Sequence, residues 1–215
     1  VIAQTNKAKE IYSTQFHNDN VSVIGNPIRE IIDRNIRREN IVVSVGRLID
    51  TKNFDQLINI FNNTDNDNWK LIIVGGDAIK QKNSVTLQKM IDDLKLSEKV
   101  ILAGTQKDVE SYLLKSKIFA FTSSSEGFPN VVGEAMSAGL PVVSYDCIAG
   151  PSDMINNGEN GYLIPLFDQD MFKEKLNYLM NHAEIISQMS ENAKLSIKKF
   201  STENICEQYY NFITK

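Results

Sequence analysis

Seven short apolar runs recur along the chain with no polar alternation inside most of them, and that one pattern excludes most folds. They are VSVI at 21–24, IVVSV at 41–45, LIIV at 71–74, VIL at 100–102, IFAFT at 118–122, PVVSY at 141–145 and GYLI at 161–164. A strand with one wet face alternates apolar and polar residues, so continuous apolar strands must be covered on both faces. Helical spacing fills the intervals. Phe54, Leu57, Ile58 and Phe61 form an i, i+3, i+4, i+7 stripe; Leu87, Met90, Ile91 and Leu94 form a second; Val109, Tyr112 and Leu113 form a short third. The alternation predicts an α/β domain: a Rossmann-like, doubly wound parallel sheet whose ligands sit at the carboxyl ends of its strands. From about residue 168 the pattern turns wholly helical, over 168–181, 184–199 and 202–213, with Ser201 or Thr202 as the cap of the last helix.

Composition matters here for what it removes. Across 215 residues, 23 Lys and Arg stand against 27 Asp and Glu, for a net charge of −4, and no block of basic residues offers a footprint for nucleic acid or an anionic membrane. The apolar runs are too short to cross a bilayer, so a cytoplasmic protein is expected. Cys147 and Cys206 have no metal-ligand or redox spacing and read as free thiols in a reducing compartment. The chain opens on Val1 rather than Met, in a stretch that already looks structured, which points to a fragment.

Each strand end is a candidate for chemistry. After 41–45 comes GRLIDTKN, in which Gly46 permits close backbone approach while Arg47 and Lys52 are cations able to meet phosphate oxygens. The loop has neither Walker spacing nor Gly-x-Gly-x-x-Gly, and a turn with two solvated cations explains it equally. Gly75-Gly76-Asp77 admits a ligand or simply makes a turn. In AGTQKD, the Gln106 amide is able to pair with the edge of a heterocycle or to be a solvated loop residue.

SSSEGFPNVVGEAMSAG at 123–139 carries more. Asn130 to Ala138 reads as a short helix, with Pro129 suited to its first turn, Gly139 to the left-handed position past its end, and Pro141 blocking continuation. A helix start at a strand's carboxyl end presents unpaired N–H groups to an anion. Pro129 has no N–H, so the expected donors are Asn130 and Val131, with Phe128 as a third. Glu134, one turn in, suits vicinal hydroxyls such as those of ribose; Glu126, in the loop, suits a second polyol. The same two acids also serve as a helix-dipole partner and a surface charge.

Taken in order, GRL…KN, GGD, AGTQ, Glu-x7-Glu around GFPNVVGEAMSAGLPVV, GPSDMI and NGENGYLI resemble the nucleotide-binding domain of the GT-B fold retaining glycosyltransferases. The resemblance covers nearly the whole chain and is most specific over 126–165. It implies that Arg47 and Lys52, beside Gly46, bind the donor's diphosphate, that Glu134 holds the ribose hydroxyls, and that Glu126 is a catalytic carboxylate contacting the donor sugar near its reacting carbon. It further implies that Gly127, Phe128, Pro129, Asn130 and Val131 lie along the phosphates and sugar, and that Thr105 and Gln106 contact the base. No metal and no other cofactor are expected, since two cations stand in for one. Asp65 and Asp67 lie in a polar loop away from the strand ends, and His17 and His182 fall outside the motif block and read as solvated surface residues.

By the same resemblance this chain is the second of two domains. Residues 1–25 are expected to be the remnant of the first domain and the crossing from it, 26–200 the donor-binding domain with Asn26-Pro27 at the hinge, and 201–215 a helix returning to the missing domain. The implied donor is a nucleotide sugar, most simply a UDP-sugar, and the reaction a retaining hexosyl or N-acetylhexosaminyl transfer in bacterial surface polysaccharide synthesis. The implied acceptor is a saccharide or lipid-linked saccharide bound mainly by the missing domain. Peripheral membrane association would then belong to the full-length enzyme, and the isolated chain is expected to be inactive. GPSDMI at 150–155 either approaches the donor sugar or makes a turn before a helix. A nucleotide-sugar 2-epimerase, which shares the architecture, and a non-enzymatic α/β module binding protein through its last helix are the alternatives.

Overall fold

The computed structural model describes residues 1–214. Among the described residues eight strands occur: β1 (Ile2–Ala3), β2 (Ser22–Val23), β3 (Ile41–Val45), β4 (Lys70–Val74), β5 (Val100–Gly104), β6 (Ile118–Phe121), β7 (Val142–Tyr145) and β8 (Gly161–Ile164). The helices are α1 (Asn6–Phe16), α2 (Phe54–Asn62), α3 (Asn83–Asp93), α4 (Val109–Lys115), α5 (Asn130–Ser137), α6 (Pro151–Met154), α7 (Gln169–Asn181), α8 (Ala183–Ile197) and α9 (Thr202–Ile213). Strands β3 to β8 form one parallel sheet in the order β5-β4-β3-β6-β7-β8, the doubly wound arrangement that the apolar runs predict. The run at 21–24 is the exception. It yields only two strand residues, and they pair with Ile2–Ala3 in a separate two-stranded parallel sheet closed by α1.

Coverage of both faces explains the unbroken apolar strands. Val42 turns to the side where Leu57, Ile58 and Phe61 of α2 meet Phe172 and Leu176 of α7. Its neighbour Val43 turns to the other side, among Leu113 of α4, Val132 and Met136 of α5, and Ala193 and Ile197 of α8. Both valines are fully buried, and each such side chain contributes roughly 1.5–3 kcal/mol by leaving water.

The helix ends follow the cap chemistry. Ser201 accepts from the Asn204 amide and so is the cap of α9. Past α5, Gly139 has φ +75; its N–H donates to Met136 O and that of Leu140 to Ala135 O, a Schellman ending that turns the chain into Pro141 and β7.

The strand order reverses between β3 and β6. Loops after neighbouring strands on the two sides of that point diverge to opposite faces and open a crevice at the carboxyl edge. Here two loops are also tied across it. Thr122 Oγ1 donates to Lys52 O at 2.8 Å, Asn53 Nδ2 to Thr122 O at 2.9 Å and Ser124 N to Thr51 O at 2.8 Å. Among the described residues no helix is long and apolar enough to cross a membrane.

Candidate functional site

A cleft of about 740 Å³ opens at the reversal point. The loop after β3 supplies Gly46, Arg47 and Lys52 to one wall; the loop after β6 and the start of α5 supply Glu126, Phe128, Pro129, Asn130, Val131 and Glu134 to the other. The structure thus brings together nine of the residues singled out above.

Lys52 and Glu126 meet directly. Lys52 Nζ lies 2.5 Å from Glu126 Oε1, and the two side chains are only 16% and 15% exposed. The lysine also sits over the Phe121 ring, 5.3 Å from its centroid. Arg47 is exposed and has no ion-pair partner among the described residues. One cation is therefore pre-paired and the other open to a ligand.

The helix start differs in one respect from expectation. The Asn130 N–H donates to Phe128 O at 2.9 Å, so it is occupied inside its own turn, and Val132 and Gly133 both donate to Pro129 O. Val131 keeps an N–H with no partner among the described residues. Pro129 stands one place before the helix, and α5 has no side-chain cap there. Phe128 is buried, its ring edge-on to Phe200 at 5.5 Å, so it anchors the loop from below. A Cβ built on Gly127 would meet nothing within 4 Å, and the space beside it is open.

Glu134 is half-buried and makes no hydrogen bond or ion pair among the described residues. Burial pushes its carboxyl above the usual range, with Arg29 opposing and Glu110 reinforcing the rise. A half-buried carboxylate that bonds no described residue and lines a cleft is a strong acceptor for hydroxyl groups.

Thr105 and Gln106 stand apart. Gln106 Nε2 donates to Ala103 O at 2.5 Å, Thr105 is exposed with its hydroxyl against Gly76, and neither lines the cleft. Lys107, Asp108, Val109 and Glu110 do, from the same strand end, together with Arg29 and Arg34. Arg34 pairs with Asp108 at 2.9 Å and also with Glu110, which in turn holds Arg29. The Ser111 hydroxyl and amide, then Arg34, hold the Asp108 carboxyl below its usual range. The strand-end rule alone would have reached Lys107 to Glu110. Arg29 and Arg34 lie in a connecting segment that no periodicity marks.

Other motifs resolve as architecture. A Cβ on Gly75 would stand 1.8 Å from Gly46 O, so this glycine lets the β4 loop touch the β3 loop from behind. Asp153 of GPSDMI accepts from the Asn6 side chain at 2.5 Å, away from the cleft. Asp65 and Asp67 bond Asn177 and Lys99. His17 is exposed; His182 is not merely solvated, since it stacks on Tyr178 at 4.3 Å and sits at the joint of α7 and α8.

Comparison with known proteins adds a family. Residues 28–196 match the model described as "Glycosyl transferases group 1". The chain is 28% identical over 99% of its length to the amylovoran biosynthesis glycosyltransferase AmsD of Erwinia amylovora, spanning 61% of that protein. It is 31% identical over 98% of its length to the poly(ribitol-phosphate) alpha-N-acetylglucosaminyltransferase of Staphylococcus aureus, spanning 43% of it. Among solved structures, a mutant of S. aureus TarM in complex with Fondaparinux, alpha-GlcNAc-glycerol and UDP superposes over 100% of this chain and 44% of TarM. The TM-score is 0.89 at 30% identity. The chain therefore spans less than two thirds of the length of each of these proteins.

Proposed function

This chain belongs to the glycosyl transferases group 1 family, and on that premise we propose that it is the donor-binding domain of a retaining glycosyltransferase using a UDP-sugar without a divalent metal. The observation that carries the reading is the arrangement at the reversal point. Arg47 and Lys52 stand on one wall of the cleft, with the Val131 N–H and the Glu134 carboxylate, which bond no other described residue, on the other.

Each group has a distinct task. As the anomeric bond breaks, negative charge grows on the leaving diphosphate, and Arg47, Lys52 and the α5 start stabilise it from positions fixed beforehand. Two cations on the diphosphate do the work for which other transferases recruit a metal ion. Glu134 accepts from the ribose hydroxyls. Glu126, held beside Lys52, faces the sugar end, where it orients the hydroxyls or balances charge near the reacting carbon. Thr105 and Gln106 would contact the base after a side-chain rearrangement that frees Gln106 from Ala103, beside Lys107, Asp108 and Val109, which line the cleft. UDP is the nucleotide in the TarM complex, which supports uridine as the base.

Residues 1–25 and 201–215 then belong to the contact with a first domain. Tyr210, Phe212 and Ile213 on α9 and Phe16 on α1 are exposed and apolar, which fits surfaces that a partner domain covers. That domain would hold a saccharide or lipid-linked acceptor, and the named roles of AmsD and the S. aureus enzyme support a bacterial surface polysaccharide as the product. The isolated chain would bind donor and transfer nothing.

Calorimetry with UDP and GDP, each with and without EDTA, tests the reading. UDP is expected to bind more tightly than GDP and to be indifferent to EDTA. Binding of neither nucleotide, or binding only when a metal is present, overturns it.

A further inference from the structure

Three side-chain amides run in one hydrogen-bond direction from the beginning of the chain to the mouth of the cleft. Gln4 Nε2 donates to Asn26 Oδ1 at 2.6 Å, and Asn26 Nδ2 donates to Asn130 Oδ1 at 3.1 Å. An amide carries its acceptor and its donors at opposite corners, so direction propagates along such a series. With its oxygen engaged by Gln4, Asn26 turns its nitrogen to Asn130. With its own oxygen engaged in turn, Asn130 has its NH2 group left over. That group bonds no described residue, and Asn130 lines the cleft.

The backbone that carries Asn26 is held in place, while Gln4 at the head of the series is exposed. A Cβ on the preceding Gly25 would lie 2.8 Å from the Phe200 ring and 2.9 Å from the Phe128 ring, so the backbone here is pressed onto the pair that anchors the β6 loop. Just beyond, Pro27 restricts φ and the Ile28 N–H donates to Phe200 O at 2.7 Å. Asn130 has no comparable restraint: it is exposed, and nothing else among the described residues bonds its side chain.

We propose that Asn26, oriented by Gln4, is a positioning residue that turns the Asn130 side chain so that its NH2 group, and not its carbonyl, faces an anion in the cleft. The inference rests on the donor reading, in which that anion is the diphosphate. It accounts for a feature of the helix start. The Asn130 backbone N–H is spent on Phe128, and the side-chain NH2 takes its place as a donor beside the Val131 N–H.

The test uses the 215-residue chain with UDP as probe. Asn26→Asp supplies only acceptors, captures the Asn130 NH2 group and turns the Asn130 carbonyl toward the cleft; Asn26→Leu neither donates nor accepts and leaves Asn130 free to rotate. Affinity for UDP by calorimetry is expected to fall about tenfold in Asn26→Asp and less than about threefold in Asn26→Leu, as for one hydrogen bond to a charged group. The charge added by Asp is separated from the relay in an Asn130→Ala background, where Asn26→Asp should cost less than about twofold. Equal losses in the Asp and Leu variants, or an equal cost of Asn26→Asp in both backgrounds, overturn the relay. Independently of any variant's folding, the Asn130 side-chain amide resonance of the wild-type chain should shift on adding UDP, and a stationary resonance overturns it too. A wild-type chain that takes up no UDP overturns the donor reading and the relay together.

Discussion

Lys52 Nζ and Glu126 Oε1 are 2.5 Å apart, joining the loops on either side of the reversal point although the residues are 74 positions apart in sequence. The ion pair is largely shielded from solvent, so its Coulomb attraction is less screened than that of a surface pair. In the proposed donor complex, a diphosphate entering the cleft would compete with Glu126 for the lysine. Glu126→Gln is therefore expected to leave UDP affinity unchanged or to raise it up to about threefold, while Lys52→Ala lowers it about tenfold or more. Calorimetry on the two variants checks this; a tenfold loss in Glu126→Gln would remove the acid from the sugar end and place it on the nucleotide.

Glu134 predicts a pH dependence with two opposite signs. Its carboxyl is raised above 4.5 by burial, with Arg29 opposing and Glu110 adding to the rise. The folded chain therefore binds a proton that the unfolded chain has already lost between 4.5 and the raised value. Across that window this group makes the protein less stable as pH rises. In the proposed donor complex ligand binding runs the other way, because the charged carboxylate accepts more strongly from hydroxyls than the protonated acid does, so its contribution to UDP affinity grows as pH rises through the same window. Glu134→Gln should flatten both trends and weaken UDP about tenfold at neutral pH, more than Glu126→Gln does. Thermal melts and titrations of both chains across pH, compared pairwise so that the titration of UDP itself cancels, give the answer.

The two thiols should react at very different rates. Cys147 is buried, and burial, then the nearby Glu126 charge, push its thiol up to about 11, whereas Cys206 on α9 is exposed. Since the thiolate is the nucleophile, a disulfide reagent at neutral pH should titrate one cysteine rapidly in the native chain and both in denaturant. Cys206→Ser should abolish the fast phase. Two fast equivalents in the native chain would contradict the packing around Cys147.

Gly75 sets the spacing of the β3 and β4 loops. Its backbone is so close to Gly46 that a Cβ would stand 1.8 Å from the Gly46 carbonyl oxygen. Gly75→Ala must displace the Gly46 carbonyl, and with it the loop bearing Arg47 and Lys52, and it places a side chain at φ +151, where L residues are strained. A loss of about 1–3 kcal/mol in stability, as for overpacking, is expected together with weakened UDP binding. A denaturant melt and a UDP titration of the same sample measure both; a variant with native stability would show that the loop yields at no cost.

Much of the fold is legible because it depends on local patterns. IVVSV became β3 at the residues expected, and 202–213 became α9 behind a Ser201 cap, since an apolar run without alternation and a capped amphipathic stretch carry their own physics. VSVI at 21–24 misled for the same reason: its composition reads as a strand of the main sheet, but its partner is the two-residue β1. The candidate site was legible as strand-end loops with suitable side chains. Its occupancy was not. That the Asn130 N–H turns back on Phe128, or that Gln106 turns back on Ala103, depends on turn geometry that residue identity does not specify.

Local residue patterns dictate an α/β domain with helices on both faces, a helix starting at Asn130, and the set of cations and acids at the strand ends. Periodicity and capping act over a few residues and survive without knowledge of neighbours. Which of those residues meet depends on the topology. The β5-β4-β3-β6-β7-β8 order puts the loop of Lys52 beside the loop of Glu126, brings Arg29 and Arg34 onto Glu110, and sets Asn26 against Asn130. Strand order arises from how both apolar faces are covered at once, a property of the whole chain that no short stretch contains.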